Sequence, residues 1–129
     1  MKKLLTIPIL LFTLMFSSTS YADWKEVGDG GGKTSYVDFD RIRKNDGYVY
    51  FWNLIDYLKQ DEFGELSVKV YFQGDCKLFR FKYLSGSGYK EPMGKGTSKT
   101  YTSLPDKWVY PPPNTPGEVI LKSVCDWVK

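Results

Sequence analysis

Two cysteines, a run of glycines ending in a lysine, and a close pair of aspartates are the residues of this 129-residue sequence whose types and spacing could do chemistry. Cys76 and Cys125 are the whole cysteine complement. Their spacing is far from the C-x-x-C of redox catalysts, and the chain has no histidine with which to build a cysteine–histidine metal site. In an oxidising compartment two such thiols pair, so the chemistry expected of them is a structural Cys76–Cys125 disulfide. Closing a loop of that length removes about 4 kcal/mol of unfolded-chain freedom on the entropic account. That is a large share of the roughly 5–15 kcal/mol by which a domain is stable.

Gly30-Gly31-Gly32-Lys33-Thr34 invites comparison with a phosphate-binding loop, whose backbone amides cradle phosphates while the lysine reaches the terminal one. The first glycine of such a motif would fall at Val27, and a β-like run follows where a helix N-terminus should stand. A plain flexible loop over 28–33 is expected instead. Asp38 and Asp40 would share one face of a strand, as an acid–base or calcium pair does. Calcium takes about 6–8 oxygen ligands, no third carboxylate follows at useful spacing, and Arg41 or Arg43 can neutralise the pair, so a solvated strand end is expected. Without histidine the commonest general base is missing, and Ser-His-Asp or Cys-His catalysis is impossible. The sequence therefore predicts no catalytic residue, no cofactor site and no metal ligand.

These side chains need elements to hold them, and the apolar pattern supplies a sheet. Trp24 to Val27 reads as a short opening strand and Thr34 to Phe39 as a second. Asn45-Asp46-Gly47 predicts a tight hairpin, because Asn and Gly tolerate the positive φ that such turns require. Tyr48 to Tyr57 is apolar on both faces, which predicts a central strand. Leu66, Val68, Val70 and Phe72 alternate with Ser67, Lys69 and Tyr71, the period of a strand covered on one side. Gly74-Asp75 reads as the next turn and Lys77 to Leu84 as the next strand; alternation there points Cys76 away from the Phe79 face, and which face carries the disulfide stays open. The four glycines of 86–96 read as a mobile loop, Thr97 to Leu104 as a polar edge strand, and Pro111-Pro112-Pro113 as an extended spacer. Thr115, Pro116 and Glu118 predict a helix start, after which Ile120, Leu121, Val124, Trp127 and Val128 fall on one stripe with Cys125 beside it. The fold class expected is α+β: an antiparallel sheet of about six strands, a C-terminal helix packed on it, and one disulfide.

Met1 to Ala22 has the three parts of a secretory signal: Lys2 and Lys3, an apolar run over Leu4 to Phe16, and Ser20-Tyr21-Ala22 at the cleavage site. The apolar run is shorter than the roughly 20 residues that span a bilayer. The division expected is thus signal peptide 1–22 and one domain 23–129, exported to the periplasm, the medium or the cell surface. No cysteine stands at the cleavage point, so no lipid anchor is expected. Formal charge is +3 with the signal's two lysines included, so the processed chain is near neutral and no nucleic-acid partner is indicated.

A protein partner fits the composition better. Arg41, Arg43 and Lys44, then Lys77, Arg80 and Lys82, then Lys90, Lys95 and Lys99 could gather into a basic patch, although acidic neighbours dilute the pattern and ordinary solvated positions explain them better. Tyr48, Tyr50, Tyr57, Tyr71, Tyr89 and Tyr101 are candidates for an exposed contact surface, since tyrosine joins apolar area to a polar tip. Which of them bind is not fixed by the sequence.

Trp24, Tyr36-Val37-Asp38, Val49-Tyr50-Phe51-Trp52-Asn53-Leu54-Ile55-Asp56-Tyr57, Ser67-Val68-Lys69, Asp75-Cys76, Trp108 and Cys125, in that order, resemble the surface-adhesin protein E family of small exported bacterial domains. The resemblance spans nearly all of 23–129. It implies the same sheet, helix and disulfide, a non-enzymatic binding function, attachment to host extracellular-matrix proteins such as vitronectin and laminin, and a homodimer as one form. The family's named adhesin is a lipoprotein, from which this chain departs. A periplasmic inhibitor or accessory protein is the alternative reading.

Overall fold

The computed structural model describes residues 22–129, so the signal-peptide reading of Met1 to Ala22 lies, all but its last residue, outside the described residues. Seven antiparallel strands form one sheet: β1 (Lys25–Gly30), β2 (Lys33–Val37), β3 (Arg43–Asn45), β4 (Tyr48–Tyr57), β5 (Ser67–Asp75), β6 (Arg80–Glu91) and β7 (Lys95–Thr100). Their order is β1-β2-β4-β5-β6-β7, with β3 pairing the first half of β4. One helix, α1 (Pro116–Trp127), lies across one face. The α+β expectation holds.

Long alternating runs give the long central strands. In β4, Val49, Phe51 and Asn53 point to the helix side, while Tyr48, Tyr50, Trp52 and Leu54 point away. Val37, Phe51, Phe72, Phe81, Ile120, Leu121 and Val124 are buried in the core between sheet and helix. The helix can approach because β5 has a glycine there: a Cβ at Gly74 would stand 2.9 Å from Val49 and 3.1 Å from Leu121. Thr115 caps the helix by accepting from the Glu118 amide at 3.4 Å, and the Glu118 carboxylate accepts from the Asn114 amide at 3.1 Å. Trp127, expected on the buried stripe, is instead 60% exposed at the last turn and keeps one aromatic neighbour, Phe39, at 5.0 Å.

Several local expectations are corrected. Residues 28–33 are not a flexible loop. Gly31 and Gly32, at φ of 62° and 77°, make the two-residue turn of the β1–β2 hairpin, a conformation glycine adopts without cost. Gly74 and Asp75 lie inside β5, and the turn comes later, at 76–79. Cys76 is therefore in a turn, where strand parity does not apply, and it turns to the helix side. The Cys76–Cys125 disulfide joins Cα atoms 5.6 Å apart, and both half-buried residues pack against the helix-side core. Residues 86–91 are strand, not mobile loop, because β6 continues through them to meet β7, which ends at Thr100. Its glycines leave room for side chains crossing above: the Tyr101 ring lies over Gly86, and a Cβ at Gly88 would collide with the Glu65 carboxylate. Glu65 is buried and its Oε1 accepts a hydrogen bond from the Tyr101 hydroxyl. Burial and that acceptor together push the Tyr101 phenol well above its usual value. The Asn45-Asp46-Gly47 hairpin is as expected, with positive φ at Asp46 and Gly47.

Candidate functional site

The face of the sheet opposite α1 is the candidate site. Strand alternation selects most of what it presents. Tyr50 of β4 pairs with Gln73 of β5 and Trp52 with Tyr71; Gln73 pairs in turn with Lys82 of β6, and Asp75 with Arg80. Arg43 of β3 stands opposite Tyr50. Tyr50, Trp52, Tyr71, Arg80 and Lys82 thus each stand next in sequence to a buried phenylalanine, Phe51, Phe72 or Phe81.

Two aromatic clusters form. Tyr71 lies between Trp52, 4.8 Å away, and Tyr50, 6.4 Å away, and Tyr50 also receives a hydrogen bond from Gln73 Nε2 at 3.2 Å. Beyond them Trp108 stacks on Tyr48 at 5.6 Å. Trp108 arrives from the segment after β7, fixed by paired hydrogen bonds between Val109 and Phe81 at 2.8 and 2.9 Å. Arg80 and Lys82 place their charges 4.1 and 4.8 Å from its ring, where the negative π-face attracts them. All five rings are partly exposed.

Arg80 is also clamped from below. Its Nε donates to Asp75 Oδ2 at 2.9 Å and its Nη1 to the Tyr110 hydroxyl at 3.4 Å. Burial pushes the Asp75 carboxyl up, but the Arg80 side chain and the Leu78 and Lys77 amides outweigh it and leave the group below its ordinary value. The guanidinium is thereby held over the Trp108 ring at little further entropic cost. Arg41 and Arg43 flank the other end, lining a recess of about 510 Å³ with Trp52 and Tyr71.

The remaining sequence candidates separate. Of the tyrosines, Tyr48, Tyr50 and Tyr71 meet on this face, and Tyr89 lies farther along it under Lys69, 5.0 Å away. Tyr57 packs toward the core on the helix side, and Tyr101 is held by Glu65. The nine basic residues make no single patch: Lys44 reaches the Val128 carbonyl at 3.5 Å, Lys90 the Phe63 carbonyl at 2.9 Å, and Lys77, Lys95 and Lys99 are exposed elsewhere. Asp38 and Asp40 do not share a strand face. The chain leaves β2 at Val37 for a 3₁₀ turn over Phe39–Arg41, which buries Asp38 to 1% exposure, leaves Asp40 in solvent, and brings Arg41 Nε to 3.3 Å from Asp38. The expected solvated strand end is therefore wrong for Asp38, though its arginine partner is as expected. Gly30 to Thr34 form hairpin, with Thr34 Oγ1 donating to Asp29 at 3.3 Å. Among the described residues no three of Cys, Asp and Glu cluster as metal ligands do. Trp52 and Trp108 are the contributors that reasoning from tyrosines missed. Alternation within Tyr48-Val49-Tyr50-Phe51-Trp52 already marked the first, whereas the second reaches the face only through tertiary structure.

The molecule is thus a helix-backed antiparallel sheet closed by one disulfide, with an aromatic and cationic second face. Solved structures share this architecture. A crystal form of Haemophilus influenzae protein E superposes with a TM-score of 0.64 at 15% identity, covering 85% of this chain and all of that one. A second structure of that protein gives 0.62 at 14% identity over 84% of this chain and 88% of the other. Protein E from a non-typeable strain gives 0.60 at 14% identity over 84% and 79%. No curated protein sequence matches this chain. The sequence profile of surface-adhesin protein E matches residues 24–126, and the chain belongs to that family.

Proposed function

We propose that this protein is a non-enzymatic surface adhesin that binds a protein ligand of the host extracellular matrix through the helix-free face. The observation that carries this reading is the band of Trp108, Tyr48, Tyr50, Tyr71 and Trp52 with Arg80 and Lys82 laid on its end. Tyrosine, tryptophan and arginine are the residues that dominate protein–protein binding energy, and here β-strands fix them in place before any partner arrives. Family membership supports the adhesin assignment. Among the described residues no helix is long and apolar enough to cross a membrane. Protease applied to intact cells is expected to remove the protein. Retention until the outer membrane is opened would contradict surface display. It would favour the periplasmic inhibitor or accessory reading, which the missing cysteine after Ala22 also favours.

A further inference from the structure

Asp38 Oδ1 is, among the described residues, the one buried side-chain oxygen or nitrogen without a hydrogen-bond partner. The side chain is 2% exposed, and its other oxygen takes the Arg41 guanidinium at 3.3 Å. Asp38 lines a cavity of about 150 Å³ together with Ala22, Trp24, Arg41, Trp52 and Lys69. A buried carboxylate oxygen without a donor is a debt that native structures rarely leave open. The charged groups around the cavity do not close it. Arg41 is engaged by Oδ2, Lys69 turns its ammonium over the Tyr89 ring, and the exposed Asp23 carboxylate pairs with Lys25 at 3.5 Å.

From this geometry we infer that the cavity binds the chain's own new N-terminus: once the peptide bond after Ala22 is hydrolysed, the α-ammonium of Asp23 donates to Asp38 Oδ1. The inference rests on the cleavage site read from the sequence and goes beyond the adhesin reading. Hydrolysis adds one water across Ala22–Asp23, so that Ala22 departs as a carboxylate and Asp23 keeps a protonated amine with three N–H donors. Ala22 and Trp24 both line the cavity, so the backbone nitrogen of Asp23, between them in the chain, is carried to its edge. Trp24 and Trp52 supply aromatic walls that favour a cation. Signal removal would then lock β1, the edge strand, onto the 3₁₀ turn after β2.

The test uses chain released so that Asp23 is its first residue, with the α-amino titration followed by NMR. Its pKa should lie at least about one unit above the ordinary α-amino value of roughly 7.7–8.0, and Asp38→Asn should remove most of that rise. The Asp23 carboxylate is common to both chains and cancels. A pKa raised in the folded state contributes stability present below about pH 8 and lost as pH rises through the folded value, about tenfold in the folding constant for one unit. A chain retaining Ala22 displaces the amine and should lack that alkaline loss, which keeps the inference testable if Asp38→Asn fails to fold. An unshifted amine, or superposed pH–stability profiles for chains with and without Ala22, means a water alone satisfies Oδ1 and overturns it. Ligand binding enters neither readout, so failure here and failure of the adhesin reading are distinguishable.

Discussion

The two faces of the sheet are made by alternate residues of the same strands and have opposite chemistry. On the helix side, Phe51, Phe72 and Phe81 pack against Leu121 and Val124 and are buried. On the other, Tyr50, Tyr71, Trp52 and Trp108 keep part of each ring in solvent, and their polar partners are arginine, lysine and glutamine. Phenylalanine suits a face that never meets water, whereas tyrosine and tryptophan suit one that must be wet alone and dry in a complex. The helix side carries most of the core, and the aromatic part of the other face is free to account for recognition.

That contrast can be broken at its strongest point first. Cys76→Ser with Cys125→Ser should lower stability by about 4 kcal/mol on the entropic account, read as an earlier denaturant midpoint. Because the bond lies on the helix side, ligand affinity of the fraction still folded should be unchanged. Leu121→Ala should cost about 2–5 kcal/mol, since the residue is wholly buried over Gly74. Trp108→Ala should cost only about 1 kcal/mol by the same assay, the scale of one aromatic stack. Equal losses would erase the distinction between the faces.

Much of this was legible in the residues. The alternation in 66–72 and 48–57 marked the central strands, and Thr115-Pro116-Gly117-Glu118 marked the helix start. The errors have a common cause, which is that glycine and aspartate carry two meanings. In 86–91 glycine composition read as mobility, but the glycines exist to let Tyr101 and Glu65 cross a strand. At 74–75 a Gly-Asp pair read as a turn, but Gly74 admits Leu121 and Asp75 clamps Arg80. Trp108 was invisible as a site residue because no local pattern links a segment near three prolines to the middle of a sheet face.

A smaller effect sharpens the comparison. Asp75 titrates below its ordinary value, so its contribution is present above about pH 4, the unfolded range, and fades as pH falls through the lower native value. Asp75→Asn should flatten the acid limb of the stability profile and loosen Arg80 on Trp108, seen as a change in tryptophan fluorescence. An acid limb identical to the wild type would show that the clamp contributes nothing.

The central claim is that the helix-free face binds. Its direct measurement is affinity for immobilised matrix protein, vitronectin or laminin, compared between the wild type and the double variant Tyr50→Ala/Trp108→Ala at matched folded fraction. The account predicts a loss of roughly 30-fold or more, the scale of one interfacial hot spot. Undiminished affinity in a folded double variant would contradict it.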